Sequence, residues 1–457
     1  MSRLREAPRR RDVTAHQDVD ARLLEALQRE AFGYFVHETN PANGLVLDKT
    51  REGWPASIAA VGLALTAYPI GIERGFITRG DAAARVLTTL RFFETSSRDA
   101  EPNATSYKGF YYHFLDMKTG ERAWQCELST VDTALLLAGA LTAAAYFDRP
   151  SPDERGIRAL AETLYSRADW QWAQNGEATV TNGWKPESGF LRYRWRGYNE
   201  ALILYVLGLG SPTHPLPEAS YAAWASTYEW VSIYGSELLY CGPLFTHQFT
   251  HVWIDFRGIQ DEFMGGRGID YFENSRRATY VQQQYAIRNP KGFAGYGEHC
   301  WGITASDGPG EVTRTIKGTR RRFRDYIARA VPYGPDDGTL APWAVVASLP
   351  FAPEIVLPTI GHLDRLGLRE RHPYGFKATF NRTFPDPSGR AGGWVSPYHF
   401  GLHQGPIIAM IENHRSGLIW ELMRRCAPVV TGLRRCGFTN GWLAGAEAST
   451  ARPAGGA

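Results

Sequence analysis

"RYRWRGYNEALILYVLGLGSP", residues 192 to 212, decides how the rest of the chain is read. From Ala201 to Leu209 every side chain is apolar, aromatic or glycine, which predicts a helix buried on nearly all sides. One acid, Glu200, stands at the mouth of that helix behind Arg192, Arg194, Trp195, Arg196 and Tyr198. Burying even a neutral polar group without a partner costs roughly 2–7 kcal/mol. A carboxylate at this place therefore needs a reason, and a cleft at the helix start supplies one. An open helix N-terminus also favours negative charge, by about 0.3–1 kcal/mol.

The theme of a polar, Gly, Pro or aromatic lead-in followed by an all-round apolar helix recurs along the chain. It is seen in "GWPASIAAVGLALTAY" from Gly53, "LSTVDTALLLAGALTAAAYF" from Leu128 and "YNEALILYVLGLG" from Tyr198. It returns in "HQFTHVWIDF" from His247, "GTLAPWAVVASLPF" from Gly338 and "HQGPIIAMIENHRSGLIWELM" from His403. More amphipathic helices are expected between them, at 20–37, 79–93, 153–167, 218–234, 268–286 and 353–366. Alternation of inner and outer helices predicts an all-α fold, an (α/α)6 barrel of six inner and six outer helices. The lead-in motifs then converge at one end of the inner ring. Ser129 or Thr130 can cap a helix, and Pro55 and Pro406 suit first turns. The division expected is a disordered basic tail over 1–18, one domain over 19–446, and a second disordered tail over 447–457.

With 44% hydrophobic and 21% charged residues, the chain has the composition of a globular protein with a large core. A net charge of +3 argues against a nucleic-acid partner. The basic clusters near the start and at 314–324 read as a solvated tail and a solvated loop, with a loop over a cleft, reading anionic groups on a substrate, as the alternative for the second. Five scattered cysteines without a C-x-x-C pair form neither a disulfide framework nor a zinc knuckle. The N-terminus lacks the apolar run of a secretory signal, and no uninterrupted run of 18 apolar residues suggests a membrane span. A cytoplasmic protein is the expectation. The aromatic content of 13% places many rings beside Gly, Asn, Asp and His, a surrounding that suits sugar rings.

Breaking a glycosidic bond commonly takes two acids, one of which protonates the leaving oxygen. The lead-ins offer Glu127 and Asp132, Glu200, Asp307, Asp336 and Asp337. Glu200 stands out because Trp195 and Tyr198 flank it, and an apolar wall raises a carboxyl pKa as a general acid requires. His247 and His251 have metal-site spacing, but Gln248 replaces the glutamate of that motif and a third ligand is lacking. No metal and no cofactor are expected. The absence of a G-x-S-x-G elbow argues against a serine hydrolase.

Several long strings closely resemble the glucoamylase-like family, which includes bacterial β-1,2-glucan hydrolases and a domain of cyclic β-1,2-glucan synthases. They are "ELSTVDTALLLAGALTAAAYF", "GYNEALILYVLGLGSPTHPL", "FTHQFTHVWIDFRGIQD", "YFENSRRATYVQQQYAIRNP", "GYGEHCWGITASDGP" and "GWVSPYHFGLHQGPIIAMIENHRSGLIW". The resemblance spans about residues 25 to 445 and implies the same (α/α)6 barrel. It implies a β-glucan substrate and Glu200 as the acid. It also implies an acidic base within "GxxQGP", where this chain has His403. His403 as base for water, or Glu127 as nucleophile of a retaining or transglycosylating enzyme, both stay open, as does a glycan-binding protein without turnover. Sugar contacts are expected from Trp54, Asp132, Arg192, Trp195, Tyr198, His247, Tyr296, Glu298, Trp301, Asp307, Trp394, Tyr398 and Gln404.

Overall fold

The computed structural model describes residues 10–369, 373–386 and 392–445. Apolar helices form where the lead-in motifs place them, at Ile58–Glu73, Thr130–Tyr146, Leu202–Gly210, Pro342–Ala347 and Gly401–Arg415. Their side chains are buried on almost every face, the state that their composition demands. "HQFTHVWIDF" departs from the pattern and forms short 3-10 turns at Leu244–His247 and Thr250–Val252. Aromatic and β-branched residues disfavour helix there. Its buried polar groups also bond elsewhere, as when Gln248 Nε2 donates to the Ala344 carbonyl.

Other helices run over Arg10–His37, Arg79–Thr95, Pro152–Ser166, Tyr271–Arg288 and Pro353–Arg365. The helix expected over 218–234 ends at Ala225, and Trp230–Ile233 pairs with Ser236–Leu239 as a hairpin. Tyr234 and Gly235 both have positive φ, as a tight primed turn requires. The first helix starts at Arg10, so half of the expected N-terminal tail is helical: no Gly or Pro interrupts the chain from there to Gly33. The C-terminal tail lies outside the described residues.

The Ile58–Glu73 and Thr130–Tyr146 helices cross backbone against backbone. A Cβ on Gly139 would meet the Gly62 carbonyl oxygen at 2.0 Å, so only glycine fits. That close crossing brings two helix starts together. Ser57 Oγ accepts from Ala60 N–H at one, and Ser129 Oγ accepts from Asp132 N–H at the other. Pro406 lies in the second turn of its helix, later than expected. Short ladders tie the starts to the loops: Ala56–Ser57 pairs with Phe114–Leu115, and Leu128–Ser129 pairs with Gly183–Trp184. The basic segment is a hairpin of Val312–Ile316 and Thr319–Phe323, not an irregular loop.

Candidate active site

A cavity of about 280 Å³ opens where these starts meet. Glu127, Asp132 and Glu200 line it together with His113, Trp195 and His403. Glu200 occupies the turn before the Leu202–Gly210 helix, where Asn199 Oδ1 accepts from Ala201 N–H. Burial pushes the Glu200 carboxyl up to about 7, and the charge of Asp132 adds to the rise. Half of such a group carries its proton near neutral pH, the condition for a general acid.

Glu127 has the opposite surroundings. Burial would raise it, but the hydrogen bond and charge of His113 hold it below the usual carboxylate range. His113 Nδ1 lies 3.0 Å from Glu127 Oε1, and Nε2 lies 3.5 Å from Asp132 Oδ2. Burial opposes the imidazolium, yet Asp132 and Glu127 outweigh it and hold the pKa at about 9. A cation thus sits between two acids, while the third acid holds its proton about half the time near neutral pH. Opposite shifts in neighbouring carboxyls mark acid and base roles.

His403 differs from both. Its ring stacks on Trp343, with centroids 4.7 Å apart and planes 13° apart. Burial lowers its pKa to about 3, with His399 and Lys49 adding to the fall. The ring is therefore neutral across the physiological range.

A second cavity of about 370 Å³ adjoins the first, sharing His113, Tyr326 and Leu402 with it. Here Lys49 Nζ bonds Asp307 at 3.0 Å and lies 4.4 Å over the Tyr398 ring. Trp54 Nε1 donates to Asp48 Oδ2 at 3.0 Å. Burial raises Asp48 to about 6, against the Trp54 bond and the charges of His113 and Lys49. Trp394 and Trp124 complete the wall. Trp124 and Gln125 hold φ of +54° and +50°, a conformation that costs a non-glycine residue about 1–3 kcal/mol.

The structure thus brings together Glu200, Glu127, Asp132, Trp195 and His403, and beyond them Trp54, Asp307, Trp394 and Tyr398. The other expected contacts lie outside both cavities. Arg192 is exposed and lies over Tyr193. Tyr198 is buried behind Glu200 against Tyr271 and His247. His247 bonds the Cys241 carbonyl at 3.0 Å, and burial drops its pKa to about 4. Tyr296 donates to Asp336, Trp301 donates from the core to Thr359, Glu298 faces solvent and Gln404 is buried. Sequence position could not separate these, because an aromatic beside a glycine serves a core as readily as a cleft. Asp48, Lys49, His113 and Tyr326 were missed; Asp48 and Lys49 stand just ahead of the "GWPAS" lead-in, the one signal that pointed there. Among the described residues no cluster of three or more His, Cys, Asp or Glu is arranged to hold a metal. No described helix is long and apolar enough to cross a membrane.

Fold and cleft define a class: helix-rich proteins whose apolar helices present acids and aromatic rings at one shared opening. Within it, residues 192–427 match the Glycoamylase family model, described as "Putative glucoamylase", and the chain belongs to that family. A structure of the same description from Bacteroides uniformis ATCC 8492 is 34% identical, with a TM-score of 0.82 over 93% of this chain and 98% of that one. The endo-β-1,2-glucanase of Chitinophaga pinensis, solved with sophorotriose and glucose, is 26% identical, with a TM-score of 0.80 over 93% and 99%. An exo β-1,2-glucooligosaccharide sophorohydrolase of Parabacteroides distasonis is 29% identical over 93% of this chain. The chain spans 59% of the length of that curated relative.

Proposed function

We propose that the protein is a glycoside hydrolase acting on β-1,2-glucan or β-1,2-glucooligosaccharides. The observation that carries the reading is Glu200, an acid with a pKa of about 7 on the wall of a cavity that also holds ionised Glu127. Glu200 donates its proton to the glycosidic oxygen as the bond to the anomeric carbon breaks. A carboxylate lining the same cavity, Glu127 or Asp132, takes a proton from the attacking water or attacks the carbon itself. His403 is assigned to the wall: a ring whose conjugate acid is disfavoured to about 3 accepts protons poorly at neutral pH. The β-1,2 linkage follows from the names of the Chitinophaga and Parabacteroides relatives.

We infer further that the chain forms one (α/α)6 barrel. In support, the Ile58–Glu73 helix packs on Thr130–Tyr146, which packs on Leu202–Gly210, while Gly401–Arg415 packs on both Pro342–Ala347 and Ile58–Glu73. The Thr250–Val252 turn, touching Gly401–Arg415, takes the place of an inner helix.

The test is release of reducing ends from linear β-1,2-glucan by the purified chain and by Glu200→Gln. Release by the wild type and its loss in the variant support the reading. Glycan binding without turnover by the wild type would make it a binding protein instead.

A further inference from the structure

We infer that Trp124 is a sugar platform in the second cavity, engaging a glucose unit of a longer chain beyond those held beside Glu200. This rests on the β-1,2-glucan reading above. A lone exposed apolar side chain is ordinary, whereas a patch of them is informative, and Trp124 shares its cavity wall with Trp54, Phe114, Tyr326, Trp394 and Tyr398. Trp124 is 55% exposed, whereas Trp170, Trp224, Trp253, Trp301 and Trp420 are all but completely buried. Trp124 lines the second cavity.

The backbone under it is strained as well. Trp124 and Gln125 are consecutive left-handed residues, where Gly or Asn would sit more comfortably. Conformations of this kind persist where the surroundings fix them, and they gather at ligand clamps. Here the surroundings are Arg122. Its guanidinium donates to the Cys126 carbonyl at 2.6 Å, the Gln125 carbonyl at 2.8 Å and the Glu187 carboxylate at 2.6 Å. The turn that carries the indole is therefore held from below by one buried cation.

The rings form a corner. Trp124 meets Trp54 nearly edge-on, with centroids 4.7 Å apart and planes 75° apart, and leans on Phe114 at 5.1 Å. Trp54 is itself fixed by its bond to Asp48. Phe114 stacks on His113 at 4.0 Å, which joins the corner to the acid pair Glu127 and Asp132. A pyranose presents flat C–H faces, and an indole fixed in this way offers a matching surface without losing side-chain freedom on binding.

The experiment measures binding by calorimetry in the full chain carrying Glu200→Gln, so that turnover does not interfere. Trp124→Ala, Trp124→Phe and Arg122→Gln are compared with that parent on β-1,2-linked trisaccharide and octasaccharide. Trp124→Ala is expected to weaken the octasaccharide about tenfold and the trisaccharide less than about twofold. Trp124→Phe should restore most of the loss, and Arg122→Gln should shift the octasaccharide in the same direction by less. Melting curves confirm that each variant is folded. Equal losses at both lengths, or no loss, overturn the platform while leaving the substrate reading intact. If the parent binds neither oligosaccharide, the β-1,2-glucan reading fails and the platform falls with it.

Discussion

Replacing Glu200 by Gln should remove activity and yet stabilise the protein at alkaline pH. The carboxyl ordinarily titrates at 4.5 and is pushed to about 7 in the fold. Between those values the native state holds a proton that the unfolded chain has released, so native stability falls as pH rises through this window. At about 1.36 kcal/mol per pH unit, the total is at most about 3 kcal/mol, fully felt only above pH 7. Glutamine keeps the shape and cannot ionise, so Glu200→Gln escapes that penalty. Melting temperatures of wild type and variant should be close at pH 4.5 and separate in the variant's favour at pH 8. Turnover on β-1,2-glucan should drop by about 10²-fold or more, the scale of a lost general acid. In the wild type the alkaline limb of the activity profile should fall near pH 7. A variant destabilised equally at both pH values, or one that keeps its turnover, would refute the reasoning.

His113→Gln should move the acid limb of the activity profile upward, because Glu127 loses the cation that keeps it ionised. The same change should destabilise most near pH 6 and little near pH 10: the His113 contribution is fully present below 6.5 and is lost as pH rises through about 9. His403→Phe retains a flat neutral ring against Trp343 and should cost less than about tenfold in turnover. Complete loss in a folded His403→Phe protein would return the base role to His403. Burial raises Cys126, Cys300 and Cys426 to about 11, so thiol reagents should react slowly at pH 8 and find all five cysteines once the protein is denatured. Fewer than five equivalents would show a bond or blocked thiol.

The buried apolar helices were legible because an all-round apolar run such as Leu202–Gly210 has few alternatives to burial. Glu200 and Asp132 were legible for the same reason, since a charge beside such a run must face an opening. "HQFTHVWIDF" misled because its apolar count is helical while its buried Gln248 and His251 bond Ser348 and Ser275, and His247 turns back on the Cys241 carbonyl. His113 could not be found in this way. It lies in a short loop ladder, and its importance comes from Glu127 and Asp132, which the fold delivers from the neighbouring lead-in. Tyr326 follows the basic hairpin into the cleft, the alternative that a basic stretch read first as solvated had left open.

The central claim is that Glu200 protonates the departing oxygen, and an activated substrate tests it most directly. A β-sophoroside with a dinitrophenolate leaving group needs no proton to depart, whereas a glucan does. Turnover of both substrates would be measured for wild type and Glu200→Gln. The account predicts a loss of about 10²-fold or more on glucan and less than about tenfold on the aryl glycoside. Equal losses on the two substrates would contradict it.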